Sequence, residues 1–114
     1  MNGAAEIAEV TFPQIGAALA PIQDPEIHIG ITELGLIYGA EILPRAAGKG
    51  RKVRLTMSLT SPACPYGPML LASVHDALAK LPGVEDVKVD LAFDPLWDPR
   101  TMASEEAMDV LGIF

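Results

Sequence analysis

The sequence predicts an α+β fold, a small two-layer sandwich in which helices pack on a three-stranded sheet. Apolar and polar residues alternate in 53–59 and again in 84–93, as they do in strands with one buried face. Between these segments, leucine and valine recur at helical spacing over 69–81. A hairpin is thus followed by a helix and a third strand, and the helical connection is long enough to be a crossover.

The first helix begins at a capping box. Thr11 and Gln14 have the spacing at which each side chain can bond the other residue's backbone amide. Pro21 ends this helix. Over 27–31, isoleucine alternates with other residues, which predicts a short extended segment.

Glycine, proline and serine mark the ends of the later elements. Pro82 and Gly83 stop the main helix, and Ser104 and Gly112 have the residue types that cap the two ends of a last helix. The strands predicted from the alternation are 36–43, 53–59 and 84–93.

A chain of 114 residues is expected to form one domain. We assign residues 1–10 to a flexible lead-in that lacks a hydrophobic period, and residues 11–114 to a single folded domain. Half of the residues are hydrophobic, which argues against disorder for most of the chain.

A cytoplasmic location is expected, without contact to a membrane. No apolar run approaches the ~20 residues that span a bilayer. The first residues lack the basic start and long apolar stretch of a signal peptide. A single cysteine cannot form an internal disulfide, which fits a reducing compartment.

The net charge of −7 argues against a nucleic acid as the main partner. The charge is unevenly distributed, because five of the eight basic residues fall within 45–54. Two glycines in the same run indicate a solvated hairpin tip there. The acidic residues after position 84 serve solubility or meet a basic partner, and the sequence leaves both interpretations open.

The single cysteine, Cys64, lies between a predicted strand and the main helix, in a turn restrained by three prolines. We expect it at or near the N-terminal cap of the helix, facing free amides and the positive end of the helix dipole. This environment favours the thiolate, which attacks electrophiles and binds soft metals, and so predicts a reactive cysteine. The alternative is a buried structural cysteine.

The other candidate groups do not complete a catalytic or closed metal site with Cys64. If the segment between them is helical, His75 lies ~16 Å along the axis from Cys64, too far for a nucleophile and its base. His28 is not excluded by spacing, but a solvent-facing histidine on an edge strand is the simpler interpretation. There is no second cysteine, so one chain cannot supply the four thiolates of an ordinary iron–sulfur cluster. We therefore predict that the protein is not an enzyme.

Two acidic features complete the set of candidate residues. Asp24 and Glu26 flank a proline in a turn, where exposed, solvated charges are the simplest interpretation and a functional acidic turn is the alternative. Glu33 could cap the entry to a strand or be a buried carboxylate bound to backbone amides.

Several separated motifs occur in order over residues 11–112. They are Asp24-Pro25-Glu26-Ile27, Glu33-Leu34-Gly35-Leu36-Ile37-Tyr38, Met57-Ser58-Leu59-Thr60 leading to Ala63-Cys64-Pro65, Leu81-Pro82-Gly83-Val84 with Val87-Lys88-Val89, and Asp94-Pro95-Leu96-Trp97. Together they closely resemble the SufT/PaaD-like iron–sulfur cluster assembly family, a family of metal–sulfur cluster biosynthesis. Motifs in a fixed order are more specific than any one of them.

The resemblance implies a maturation factor for iron–sulfur proteins. The family's cysteine corresponds to Cys64, the predicted metal ligand, and its acidic positions correspond to Asp24, Glu26 and Glu33, which would help to bind the cofactor. That cofactor would be iron or an iron–sulfur cluster, held transiently and shared. The implied partners are assembly scaffold or carrier proteins, apo client proteins and, for a homodimer, a second copy of the chain.

The residues and the resemblance both point to Cys64. A single activated thiolate suits transient holding of iron or a cluster during transfer, since a donor that binds tightly does not release. The alternative is a metal-free adaptor that recruits clients to the assembly machinery, with Cys64 serving the fold. We further expect the loops that carry the three carboxylates to converge on the surface of Cys64.

Overall fold

A computed structural model describes residues 9–44 and 50–112. These residues form a three-stranded sheet and five helices, which confirms the predicted α+β class. The elements in order are α1 (Phe12–Leu19), α2 (Ile31–Leu34), β1 (Ile37–Ile42), β2 (Arg51–Met57), α3 (Gly67–Ala79), β3 (Val84–Leu91), α4 (Pro99–Met102) and α5 (Glu105–Leu111). No helix in this part of the chain is long and apolar enough to cross a membrane.

The sheet is mixed and follows the order β1-β2-β3. β1 and β2 are antiparallel, whereas β2 and β3 are parallel and joined through the crossover helix α3. The carboxyl ends of β2 and β3 and the amino end of β1 therefore lie at the same end of the sheet. The loops that leave or enter there hold Cys64, Gly35 and Pro95.

One face of the sheet carries the hydrophobic core. Val53, Leu55 and Met57 of β2 are fully buried, as their alternation predicts, and they share one core cluster with buried side chains of α1 and α3. The charged side chains that alternate with them, such as Lys52 and Arg54, are exposed and form ion pairs with acidic residues of the neighbouring strands. This pattern is that of a two-layer sandwich with one layer of helices.

The first helix is built as predicted. The Thr11 side chain accepts from the Gln14 amide, and the Gln14 side chain accepts from the Thr11 amide. Val10 is buried in the core, although the predicted lead-in extends to residue 10. Residues 1–8 of that lead-in and residues 45–49 of the predicted hairpin tip lie outside the described residues.

The prediction of an extended segment over 27–31 is wrong. Ile31 begins α2, and the residues before it form a tight turn closed by a bridge between Gln23 and Gly30. The alternation of isoleucines has a different cause: Ile27 and Ile29 pack partly buried against the core from a turn, and Ile31 is fully buried on a helix. Another short helix, α4, was not predicted. Asp98 is its N-cap, and the Asp98 carboxylate accepts from the Arg100 amide.

The segment after β3 packs across the junction of α2 and β1. The Trp97 indole N–H donates to the Leu34 carbonyl at 2.6 Å, and the Tyr38 hydroxyl donates to the Pro95 carbonyl at 2.7 Å. The Ser104 amide donates to the Glu33 carbonyl at 2.8 Å. These bonds attach the C-terminal segment to α2 and β1, at the end of the sheet where the loop with Cys64 also leaves.

Gly35 makes this close packing possible. It ends α2 in the left-handed conformation with φ +78°, and a Cβ atom at this position would collide with the Met102 backbone carbonyl. Gly112 ends α5 with the same φ of +78°, but it has no atom within 4 Å of such a Cβ. Both glycines therefore adopt the same left-handed backbone conformation, but only Gly35 is closely packed against another part of the chain.

We expect Gly35→Ala to lower the free energy of unfolding by more than about 2 kcal/mol, because a left-handed alanine and a backbone collision both contribute. Gly112→Ala is the matched control and carries only the conformational cost of about 1 kcal/mol. Chemical denaturation of both variants measures the difference. Equal losses would show that the Met102 contact contributes nothing.

Candidate functional site

The buried carboxylate of Asp24 organises the acidic turn. Asp24 is only 1% exposed, and one of its oxygens accepts from the Glu26 amide at 2.8 Å and the Ile27 amide at 3.1 Å. Its backbone amide donates to the Ile29 carbonyl, and its carbonyl accepts from the His28 amide. The prediction that Asp24 is a solvated surface charge is therefore wrong, because its carboxylate serves the backbone of its own turn.

The turn leaves Glu26 facing solvent. His28 takes the left-handed conformation with φ +63°, and this reverses the chain between Glu26 and the start of α2. Glu26 is exposed, in contrast to Asp24, although only a proline separates them. The turn thus divides its two carboxylates between two tasks, one internal and one at the surface.

Cys64 lies beside Glu26. The Cys64 Sγ donates to the Glu26 Oε1 at 4.0 Å, a long contact between residues 38 positions apart in the chain. Cys64 is a free, half-buried cysteine. The expected convergence of the acidic turn and the cysteine loop therefore holds for Glu26.

The cysteine loop is held by its own backbone. The Cys64 amide donates to the Ser61 carbonyl, and the Cys64 carbonyl accepts from the Gly67 amide. The helix α3 begins at Gly67 with Tyr66 as its N-cap, so Cys64 lies two residues before the cap. The Tyr66 side chain makes no capping bond, and Tyr66 and Met69 are among the exposed large hydrophobic residues.

Glu33 occupies a different environment. It is exposed in the first turn of α2, and it lines a groove with Ile29 and residues of α5. It is neither a buried carboxylate nor a strand cap, and the role of a buried carboxylate bound to backbone amides belongs to Asp24 instead. The signal for this role was present in the sequence, since aspartate before proline commonly accepts from the amides two and three residues ahead.

The described residues contain no group of three or more His, Cys, Asp or Glu side chains placed to hold a metal ion. The structure brings together one sulfur and one carboxylate, from Cys64 and Glu26, while Asp24 lies beneath the turn and Glu33 faces the groove. Iron accepts both thiolate and carboxylate ligands, so this pair could contribute part of a coordination sphere. Metal binding by these four residues remains a prediction.

Comparison with known proteins identifies relatives that match most of the chain. Residues 13–91 match a family model described as iron–sulfur cluster assembly protein. The chain is 39% identical to an Fe-S protein maturation auxiliary factor of Porphyromonas gingivalis, over 90% of this chain and 91% of that protein. It is 36% identical to the Fe-S protein maturation auxiliary factor YitW of Bacillus subtilis, over 92% of this chain and 97% of that protein.

A solved structure shares the fold. A conserved hypothetical protein from Thermotoga maritima superposes with a TM-score of 0.78 at 32% identity, over 92% of this chain and 97% of that one. The likeness therefore includes the segment after residue 91, where the family match ends.

We predict unequal effects on stability for substitution of the two carboxylates of the turn. Asp24→Ala leaves two amides without their acceptor and should lower the free energy of unfolding by about 2–4 kcal/mol. Asp24→Asn should cost less, because its side-chain oxygen can accept from the same amides. Glu26→Ala, at an exposed position, should stay within about 0.5 kcal/mol of the wild type.

Chemical denaturation of the three variants measures these effects. Equal stability of Asp24→Ala and Glu26→Ala would contradict the division of roles within the turn. This expectation replaces the one that follows from two solvated carboxylates, which would predict a small cost at both positions.

Proposed function

The chain belongs to the iron–sulfur cluster assembly protein family, and from this premise we propose that it is an auxiliary factor in the maturation of iron–sulfur proteins. It holds iron or an iron–sulfur cluster transiently through Cys64 and passes this cargo to client proteins. The observation that carries the proposal is the contact between Cys64 Sγ and Glu26 Oε1 at 4.0 Å. Both similar maturation factors cover nearly the same length of chain, which supports the same kind of role.

The pair offers two ligands of different character. A cysteine thiolate is a soft ligand for iron, and a carboxylate oxygen is a hard one. Two protein ligands leave at least half of a four-ligand sphere to other groups, which the cargo would take from a donor protein, a small thiol, a second copy or a client. Incomplete coordination favours release, and release is what transfer requires.

The turn and the cysteine loop hold this pair in place before any cargo arrives. The buried Asp24 carboxylate orders the backbone on one side, and the local backbone hydrogen bonds of 61–67 order it on the other. A preordered pair loses less conformational entropy on binding than two mobile loops would. Glu26 and Cys64 nevertheless keep access to solvent, as an exchange of ligands between two proteins requires.

The proposed role is carriage and delivery, without catalysis. In the described part of the chain, Glu26 is the one side chain that hydrogen-bonds to the Cys64 sulfur. We propose that scaffold or carrier proteins deliver the cargo and that apo clients receive it. A single free cysteine suits a reducing compartment, so we place this role in the cytoplasm.

A metal-free adaptor is the second candidate. It is favoured by the lack, among residues 9–44 and 50–112, of any group of three metal-ligating side chains. In that case the protein would recruit clients to the assembly machinery, and Cys64 would serve the loop that begins α3. The two candidates differ in one property, the dependence of the protein's effect on the Cys64 sulfur.

Anaerobic reconstitution with iron and sulfide tests the proposal. We expect the wild type to bind less than one cluster per chain, or to need added small thiol, because its own ligands are too few. Cys64→Ser should abolish the bound iron and its charge-transfer absorbance. Glu26→Gln should weaken it, whereas Asp76→Asn, the same change at an exposed carboxylate of α3, should leave it unchanged.

Two results would contradict the transfer role. A stable four-iron cluster on a monomer without external thiol would show that the chain completes the site alone. Equal maturation of an apo client by wild type and Cys64→Ser, with no iron on either, would favour the adaptor. Circular dichroism of each variant confirms that it has kept the fold.

A further inference from the structure

A groove separates the acidic turn and α2 from the C-terminal helix α5. It has a volume of about 310 Å³ and is lined by Ile29, Glu33, Glu106, Ala107 and Val110. The Ser104 amide, at the N-cap of α5, donates to the Glu33 carbonyl at 2.8 Å. The two walls of the groove are therefore bonded to each other directly.

The floor of the groove is apolar. Ala107 is buried and belongs to the hydrophobic core, and Ile29 packs partly buried against that core. Val110 is 70% exposed, the largest value among the exposed large hydrophobic residues of the described ranges. The groove thus presents an exposed apolar side chain, Val110, beside residues that are packed against the core.

The rim of the groove is acidic and has no ion-pair partner among the residues that the structure describes. Neither Glu33 nor Glu106 forms an ion pair with a described residue, although the cations of the sheet face, Lys52, Arg54 and Lys88, are each paired. Glu106 lies in the first turn of α5, where a negative charge also stabilises the helix. Glu33 likewise lies in the first turn of α2, so the same effect applies to both carboxylates, but it does not account for the exposed Val110 in the same groove.

We propose that this groove binds a segment of a partner protein in which lysine or arginine flanks an apolar side chain. The apolar side chain would cover Ile29 and Val110, and the cations would meet Glu33 and Glu106. Charge complementarity selects this occupant, since Glu33 and Glu106 line the groove and form no ion pair with a described residue. A second copy is disfavoured, because two chains that each carry a net charge of −7 repel each other.

The inference goes beyond the proposed function, because it needs no metal at Cys64. It also relates the groove to the proposed site, because both include residues of the same turn. Ile29 belongs to the same turn as Glu26, and its carbonyl accepts from the Asp24 amide at 2.9 Å. A partner bound in the groove would therefore contact the turn that carries Glu26.

An amide-shift titration of the ¹⁵N-labelled protein tests the groove. The probe is a capped pentapeptide with one leucine between two pairs of lysines. We expect the shifts to concentrate at Ile29, Glu33, Ala107 and Val110. A peptide with glycine in place of leucine should bind at least about fivefold more weakly, and one with glutamates in place of the lysines should not bind.

Matched variants separate the groove from the general acidity of the protein. Glu106→Gln and Val110→Ser should each weaken binding by at least about fivefold. Asp109→Asn on the same helix and Leu96→Ser, at another exposed apolar position, should leave binding within about twofold of the wild type. All four positions except Leu96 lie on α5, and none of the four is buried.

Four outcomes would overturn the proposal. They are no shift at high peptide concentration, equal binding of the glycine peptide, equal losses in Asp109→Asn and Glu106→Gln, and a concentration-dependent dimer that moves the groove amides without peptide. If Val110→Ser failed to fold, Glu106→Gln and the glycine peptide would still show whether the peptide binds in the groove. None of these readouts depends on iron, so failure here and failure of the cargo role are distinguishable.

Discussion

The carboxylate of Asp24 is the constraint on which the site depends. A charged group with 1% exposure is tolerated only when it is hydrogen-bonded, and Asp24 meets this demand with the amides of Glu26 and Ile27. The same interaction determines the course of the turn. Glu26 then faces Cys64, while Ile29 faces the groove beside α5. One buried carboxylate thus positions two surfaces that differ in chemistry.

The mixed sheet explains why distant motifs meet. Because β2 and β3 are parallel and β1 is antiparallel, three loops reach the same end of the sheet. The long C-terminal segment packs over this end through Gly35, Tyr38 and Trp97. The end of the sheet from which the cysteine loop leaves is therefore covered by a segment with several hydrogen bonds to α2 and β1.

The sequence predicted the strands, the main helix and the cap at Thr11, because each depends on local periodicity or on residues three apart. It failed at 27–31, where the alternation of isoleucines reflects packing from a turn and not from a strand. The contact of Glu26 with Cys64 was expected from topology, whereas the burial of Asp24 was missed. The hydrogen bonds of Asp24 are local, but its exposure of 1% depends on tertiary packing, which residue spacing alone does not reveal.

The central claim is that Cys64 and Glu26 act as one unit in delivering iron–sulfur cargo, and a double-variant cycle measures this most directly. The rate of cluster transfer to an apo-ferredoxin is compared for wild type, Cys64→Ser, Glu26→Gln and the double variant. If the two side chains bind the same iron or cluster, the transfer rate of the double variant should fall no further than that of Cys64→Ser alone. Losses that multiply independently, or wild-type transfer by Cys64→Ser, would contradict the claim.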